Sequence, residues 1–441
     1  MNHLDGMKSI LLPNLYFEEE LQSISTNASP KSRRLVAELG PVMGLLAPDN
    51  LGPRQSPGHS GIIRSIVLVQ DNLRPENVPQ ALQHVEFLTL DELASIVRQE
   101  SSAAQELPQV WNVAAWGWSE AAILRLQRAG IQDFHPPKID VVRFINSRQF
   151  QSQWDAAIEV DGTNQVDAFG TLCHSVQDVA AAIRCACDYS PRGWVIKGDL
   201  SHAARNRLLG KTTELSSEHL AWVESRFEVG ESVYVEPWVE RVAECGLQFE
   251  IATSTATQTT AATVMFVGAA EMLTDHVGHY RGSIVRALSA DSDLPDAAWQ
   301  KAIDHCRQIA EAVAERGYFG AIGFDCMIYY CPKHNRRWLR LSHDINGRLT
   351  MGRVALTLRR LLAPRETGVW IHAASDSLQK FANETDKSLY GDVRIIHTSP
   401  GRSGGKSAKI GTACVVSANR AQLKAACEHI LGQSVRMPDA D

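Results

Sequence analysis

The chain has 441 residues, 44% hydrophobic and 21% charged, which suggests two or three globular domains with room for substantial cores. Its 44 basic and 50 acidic residues leave a formal charge of -6, which gives no electrostatic reason to expect nucleic acid or an anionic membrane as partner. The 9 cysteines are scattered, without a CxxC pair, and no apolar run approaches the ~20 residues of a membrane span, so free thiols in a cytoplasmic, soluble protein are expected.

In chain order, residues 1–20 hold a short apolar patch broken by Pro13 and Asn14, followed by three glutamates, which does not read as a signal peptide. Residues 23–57 are rich in Ser, Pro, Asn and Gly and read as loops, with an apolar stretch near Val42 to Leu46. Ile62 to Val69 and Val85 to Leu90 read as strands; Thr89 with Glu92 then matches a capping box that opens a helix. Val110 to Ala115 is a third strand, after which Ser119 caps a helix that Gly130 closes. Strands alternating with helices imply a parallel α/β layer, a first domain of about residues 1–138 that ends near Pro136-Pro137.

Val141 to Ile145 reads as a strand running into Asn146-Ser147-Arg148, with a helix following it; Ser175 starts another helix, and Trp194 to Lys197 is a short strand. Ser232 to Val239, Leu247 to Ala252 and Thr263 to Ala269 come in close succession, as in an antiparallel meander. Between 296 and 316, Trp299, Ile303, Cys306, Ala310 and Val313 make one apolar helical stripe that Gly317 stops. Ala321 to Tyr330 and Trp338 to Ile345 are strands, residues 350–362 a helix, and residues 363–441 alternate strand-like and helix-like pieces around a basic, Gly/Ser-rich loop at 399–406 that is expected to be mobile.

The chemistry concentrates in one hairpin. If it is centred between His334 and Asn335, Asp325 lies directly opposite Asp344, and Gly323, Asp325 and Met327 share a face with Arg340, Ser342, Asp344 and Asn346. Two aspartates opposed across a ladder repel each other unless a hard cation intervenes. Asp325, Asp344 and Asn346 supply the oxygen donors that magnesium prefers; a solvated polar face is the alternative.

With Gly320-Ala321-Ile322-Gly323-Phe324-Asp325 and Asp344-Ile345-Asn346-Gly347-Arg348 in view, the sequence resembles the ATP-grasp carboxylate–amine ligases, in particular peptide-ligase-like members with a preceding pre-ATP-grasp domain. The likeness covers about residues 110–362 and is general in style outside them. It implies a mixed α/β (α+β) chain: a Rossmann-like pre-ATP-grasp domain at 1–138, a two-lobed ATP-grasp domain at 139–362 (small lobe about 150–240, large lobe about 241–362) and a small C-terminal α/β extension at 363–441. Asp344 stands where the family usually has glutamate.

The resemblance assigns roles residue by residue. Asp325, Asp344 and Asn346 would hold one or two Mg²⁺ ions; Arg148 and Lys197, the latter ending the strand Trp194-Val195-Ile196-Lys197, would meet ATP phosphates. Residues 198–206 stand where the family has a glycine-rich lid, and there Ser201, His202 or Arg205 would bind phosphate. Glu236, Trp238 and Val239 would receive adenine, and Glu244 (or Glu240) the ribose. Arg281, in the segment from Asp275 to Gly282, and Arg348 would stabilise the transferred group, whereas His276 and His279 lack the further ligands of a zinc site. The expected partners are a small carboxylate and an amine, an amino acid or peptide-like molecule among them; the family is often dimeric, so a homodimer stays open. A non-catalytic nucleotide-binding protein and a phosphotransferase on the same fold are the alternatives.

Overall fold

The computed structural model describes residues 8–22, 30–47, 64–103, 111–161, 164–167, 169–200, 206–252, 263–275, 277–287, 297–384, 390–435 and 437. The chain forms two compact units, each discontinuous in sequence: Met1–Pro136 with Arg281–Ser292 and Arg348–Asp441, and Pro137–Tyr280 with Asp293–Gly347.

In the first unit, four parallel strands lie in the order Val85–Leu88, Arg64–Leu68, Lys8–Leu12, Trp111–Ala115. The Lys8–Leu12 strand occupies a stretch that reads in sequence only as an apolar patch. It is five residues long, and Ile10, Leu11 and Leu12 are all buried, so no alternation marks it. The helix Pro30–Leu39 likewise replaces an expected loop. The capping box forms as expected: Thr89 N donates to Glu92 Oε2 at 2.8 Å and Glu92 N to Thr89 Oγ1 at 3.2 Å. Ser119 Oγ accepts from Ala122 N at 3.0 Å, and Gly130 closes that helix at a φ of 83°.

The same unit holds an antiparallel set in which Thr367–Ala374 lies between residues 282–286 and Ile410–Ser417, with Arg394–His397 at the edge. The basic loop expected to be mobile is pinned: Arg402–Ser403 and Lys406–Ser407 pair with each other, and Arg402–Ser403 pairs with Pro75–Glu76, where Gly405 N donates to Glu76 Oε1 at 2.6 Å.

The second unit holds two sheets. The smaller runs Arg207–Gly210, Trp194–Gly198, Val233–Pro237, Thr171–Cys173, all antiparallel, with Val176–Tyr189 and Ser217–Glu228 as its helices. The larger runs Val264–Thr274, Glu240–Ile251, Gly320–Cys331, Arg336–Asn346, Ala156–Glu159, Gln165–Asp167. Against it packs the helix Ala297–Glu315, whose Trp299, Ile303, Cys306, Ala310 and Val313 are all buried, as the stripe requires.

Two expectations are corrected. Residues 141–145 are not a strand but belong to the helix Ile139–Ile145; the β-branched pair Val141-Val142 imitates a strand, while Asp140 in the first turn favours the helix end. The expected meander is divided, because Val233–Pro237 belongs to the smaller sheet and Glu240–Ile251 takes Gly320–Cys331 as its second neighbour.

Candidate active site

The hairpin aligns Gly323 with Asn346, Phe324 with Ile345, and Asp325 with Asp344, as the spacing predicts. Closer to the turn the register slips. Met327 faces Arg340 instead of the expected Ser342, so two extra residues of the second strand are accommodated between Asp344 and Arg340. The two aspartates stay opposed, and a shift of two keeps Arg340 on their face.

Arg340 is fully buried and anchors a chain of charges absent from the sequence-based assignment. Its Nε and Nη2 donate to Asp155 Oδ1 and Oδ2 at 2.8 and 3.1 Å, and its Nη1 lies 2.9 Å from Glu236 Oε2. The other Glu236 oxygen is 2.7 Å from Lys197 Nζ. Tyr234 OH donates to Asp155, and the Arg340 guanidinium lies 4.3 Å from the centre of the Phe169 ring. Asp155, Tyr234 and Arg340 are thus the residues that sequence reasoning missed. Arg340 alone left a signal: a charge in the apolar run Trp338 to Leu341, on the face of Asp344.

Arg148, also buried, reaches Asp344, Nη1 to Oδ1 at 3.0 Å. Local structure aims it. Ser147 Oγ accepts from Phe150 N at 3.2 Å and starts a short helix at Arg148, while Asn146 Oδ1 accepts from Gly347 N at 3.0 Å and ties this corner to the end of the Asp344 strand. Four of the expected residues (Arg148, Lys197, Glu236, Asp344) therefore belong to one electrostatic cluster, since Lys197 feels the charges of Glu236, Arg148, Arg340 and Asp344.

Burial lowers the Lys197 ammonium below the usual lysine range despite Glu236. Burial opposes ionisation of Glu236, but Arg340 and Lys197 outweigh it and hold its carboxyl well below the ordinary value. A carboxyl depressed in the folded state contributes stability that is present above the unfolded value and lost as pH falls toward the folded one. Glu236→Gln is therefore expected to destabilise the protein by about 3–5 kcal/mol at neutral pH, with the gap to wild type narrowing below about pH 4.5. Urea melts of both proteins across pH 3–7 (roughly the window in which carboxyls titrate) check this; a gap independent of pH contradicts it.

At the expected base-binding corner, Trp238 N donates to Gly193 O at 2.8 Å and Trp238 O accepts from Ser190 Oγ at 2.6 Å. The Trp238 ring has Arg207 at 5.4 Å and Arg241 at 4.9 Å, and Val239 is buried. Glu244 accepts from Thr274 Oγ1 and from Arg241 Nη1, the latter at 3.3 Å, whereas Glu240 is exposed. Asp275 organises the adjoining turn by accepting from Val277 N at 3.1 Å and His279 N at 2.8 Å, and it pairs with His279 Nδ1 at 3.1 Å.

Arg281 and Arg348 fall in the first unit. Arg348 Nε donates to the buried Glu18 at 2.6 Å, and its guanidinium lies 5.9 Å from the Trp116 ring centre. Ser201, His202, Arg205 and His276 lie outside the described residues. Among the described residues no three or more His, Cys, Asp or Glu side chains gather as a metal cage, and no helix is long and apolar enough to cross a membrane.

No family model matches the sequence, and no curated protein matches it. Among solved structures, an N5-carboxyaminoimidazole synthetase from Staphylococcus aureus superposes with a TM-score of 0.50 and 10% identity over 98% of this chain and 99% of its own. The Staphylococcus aureus enzyme complexed with ADP scores 0.47 at 12% identity, covering 96% of each chain. A biotin carboxylase–ATP complex from Campylobacter jejuni scores 0.49 at 11%, covering 95% of this chain and 89% of that one. The first of these likenesses shows the fold alone: the chain shares the mixed α/β fold of that synthetase along nearly its whole length.

Proposed function

We propose that the protein uses ATP and Mg²⁺ to activate a carboxylate as an acyl-phosphate and joins it to an amine. The observation that carries this reading is the meeting of Asp325 and Asp344, opposed across one ladder, with Arg148 on Asp344 and Lys197 near enough to feel the charge of Asp344. A cluster of that kind suits a polyanion together with a hard cation.

The donor set fits magnesium. Two carboxylates and the Asn346 amide are too few to enclose an ion, and Mg²⁺ characteristically keeps positions for phosphate oxygens and water. Bound there, the ion would neutralise charge on the phosphates. The chain's own residues do the rest. Arg148 and Lys197 would bind phosphate oxygens. Glu236, held between Lys197 and Arg340, fixes the lysine in place. Trp238 and Val239 would border the base and Glu244 the ribose, and the phosphate-binding role that the resemblance gives Ser201 and His202 belongs to the same reading.

No side-chain nucleophile is needed. A substrate carboxylate oxygen attacks the γ-phosphorus and ADP leaves; the amine then attacks the acyl carbon and phosphate leaves. Rate enhancement comes from positioning and from fixed charges facing the charge that develops. Asp344→Asn is expected to lower activity by about 10²-fold and to shift the Mg²⁺ dependence to higher concentration, measured as phosphate release against MgCl₂. Unchanged activity with an unchanged Mg²⁺ curve removes Asp344 from the site.

A further inference from the structure

A cavity lies wholly within the first unit, with a volume of about 270 Å³. Its lining begins where the parallel strands end: Leu12 and Pro13 close the first strand, and Leu68 to Asp71 follow the second. In that sheet the strand order reverses between Lys8–Leu12 and Trp111–Ala115, and open parallel sheets bind ligands outside the carboxyl ends of their strands near such a reversal. The cavity falls just under the roughly 300–1,000 Å³ of small-molecule pockets, which sets the ligand at the small end.

The lining is selective. Leu12, Val36, Leu68 and Leu90 give it apolar walls. Arg125 is already engaged: its guanidinium pairs with Glu20 and donates to Tyr16 OH at 3.1 Å and to Ala121 O at 3.1 Å. Arg33 and Asp71 differ. Both line the cavity and are exposed, and among the described residues neither side chain has an ion pair or hydrogen bond, with each other or with anything else. Arg33 also borders a neighbouring cavity of about 180 Å³ along the helix Pro30–Leu39, so it stands between the two hollows.

One cation and one anion, unpaired among the described residues, beside apolar walls, complement a zwitterion with an apolar body. We propose that this cavity binds an α-amino acid with a bulky apolar side chain, its carboxylate on Arg33, its ammonium toward Asp71 and its side chain among the leucines. Guanidinium suits carboxylate through two parallel hydrogen bonds. That the ligand is the amine-bearing substrate rests on the ligase reading; that the cavity binds it does not.

Calorimetric titration of the full chain without nucleotide tests the site, with L-phenylalanine as probe. 3-Phenylpropanoate lacks the ammonium and 2-phenylethylamine lacks the carboxylate. L-Phenylalanine is expected to bind, and each analogue to bind about tenfold more weakly or worse. Arg33→Ala and Asp71→Ala should each weaken L-phenylalanine by a similar factor and leave ATP binding unchanged. Absence of L-phenylalanine binding, analogues that bind equally well, or variants that bind like wild type overturn the proposal. Binding without stimulation of phosphate release leaves the site standing and counts against the ligase reading for this amine; amine-stimulated release without L-phenylalanine binding does the reverse.

Discussion

Lys197→Met is expected to reduce ATP-dependent phosphate release by about 10²–10³-fold, the usual consequence of removing one preorganised charge from a transition state. The loss should appear in kcat. Lys197 lies near the end of the buried strand Trp194–Gly198, its ammonium is stripped of most water, and among the described residues only Glu236 is ion-paired with it. Under the proposed function, such an ammonium would be poorly solvated before the triphosphate arrives and would gain most when negative charge moves onto the transferred group. The fold should survive, because Glu236 keeps its contact with Arg340 at 2.9 Å. Circular dichroism and a urea melt on the purified variant separate the two effects. Wild-type turnover would remove Lys197 from the chemistry.

The second large effect is structural. Arg340→Met is expected to destabilise the protein by about 3–5 kcal/mol, because it strands Asp155 and Glu236 in the interior without their shared cation. Glu236 would keep Lys197, so Asp155 is the group left most exposed to the loss, with Tyr234 OH as its remaining charge-stabilising donor alongside Gly170 N at 2.9 Å. Neutralising Asp155 as well should recover part of the stability. The double variant Asp155→Asn/Arg340→Met is thus expected to cost less than the sum of its single changes, the signature of coupled groups. Strictly additive costs in urea denaturation would show that the two side chains do not form one network.

The hairpin was readable in the sequence because strand parity and a turn cluster are local information: Asp325 opposite Asp344 follows from counting. Counting could not show the irregularity below that pair, where the second strand absorbs two extra residues and presents Arg340 to Met327. Thr89, Ser119, Ser147 and Ser175 all cap helices, and capping chemistry acts over three residues. Lys197 and Glu236 stood out singly as strand-end charges, but their pairing depends on Trp194–Gly198 lying beside Val233–Pro237, a register that no local pattern contains. The same limit applies to Arg340 with Asp155, 185 positions apart, and to Arg348 with Glu18, 330 positions apart. The strand Lys8–Leu12 was hidden by burial on both faces, and the helix Ile139–Ile145 by a β-branched pair.

The most direct measurement is phosphate release from ATP and Mg²⁺ by the purified full chain, across a panel of small carboxylates and amino acids presented singly and in pairs. A ligase predicts release that requires a carboxylate and rises with a matching amine, with one ADP formed for each amide bond. If ATP binds but no pair stimulates release, or if release yields a stable phosphorylated product and no amide, the site is not a ligase.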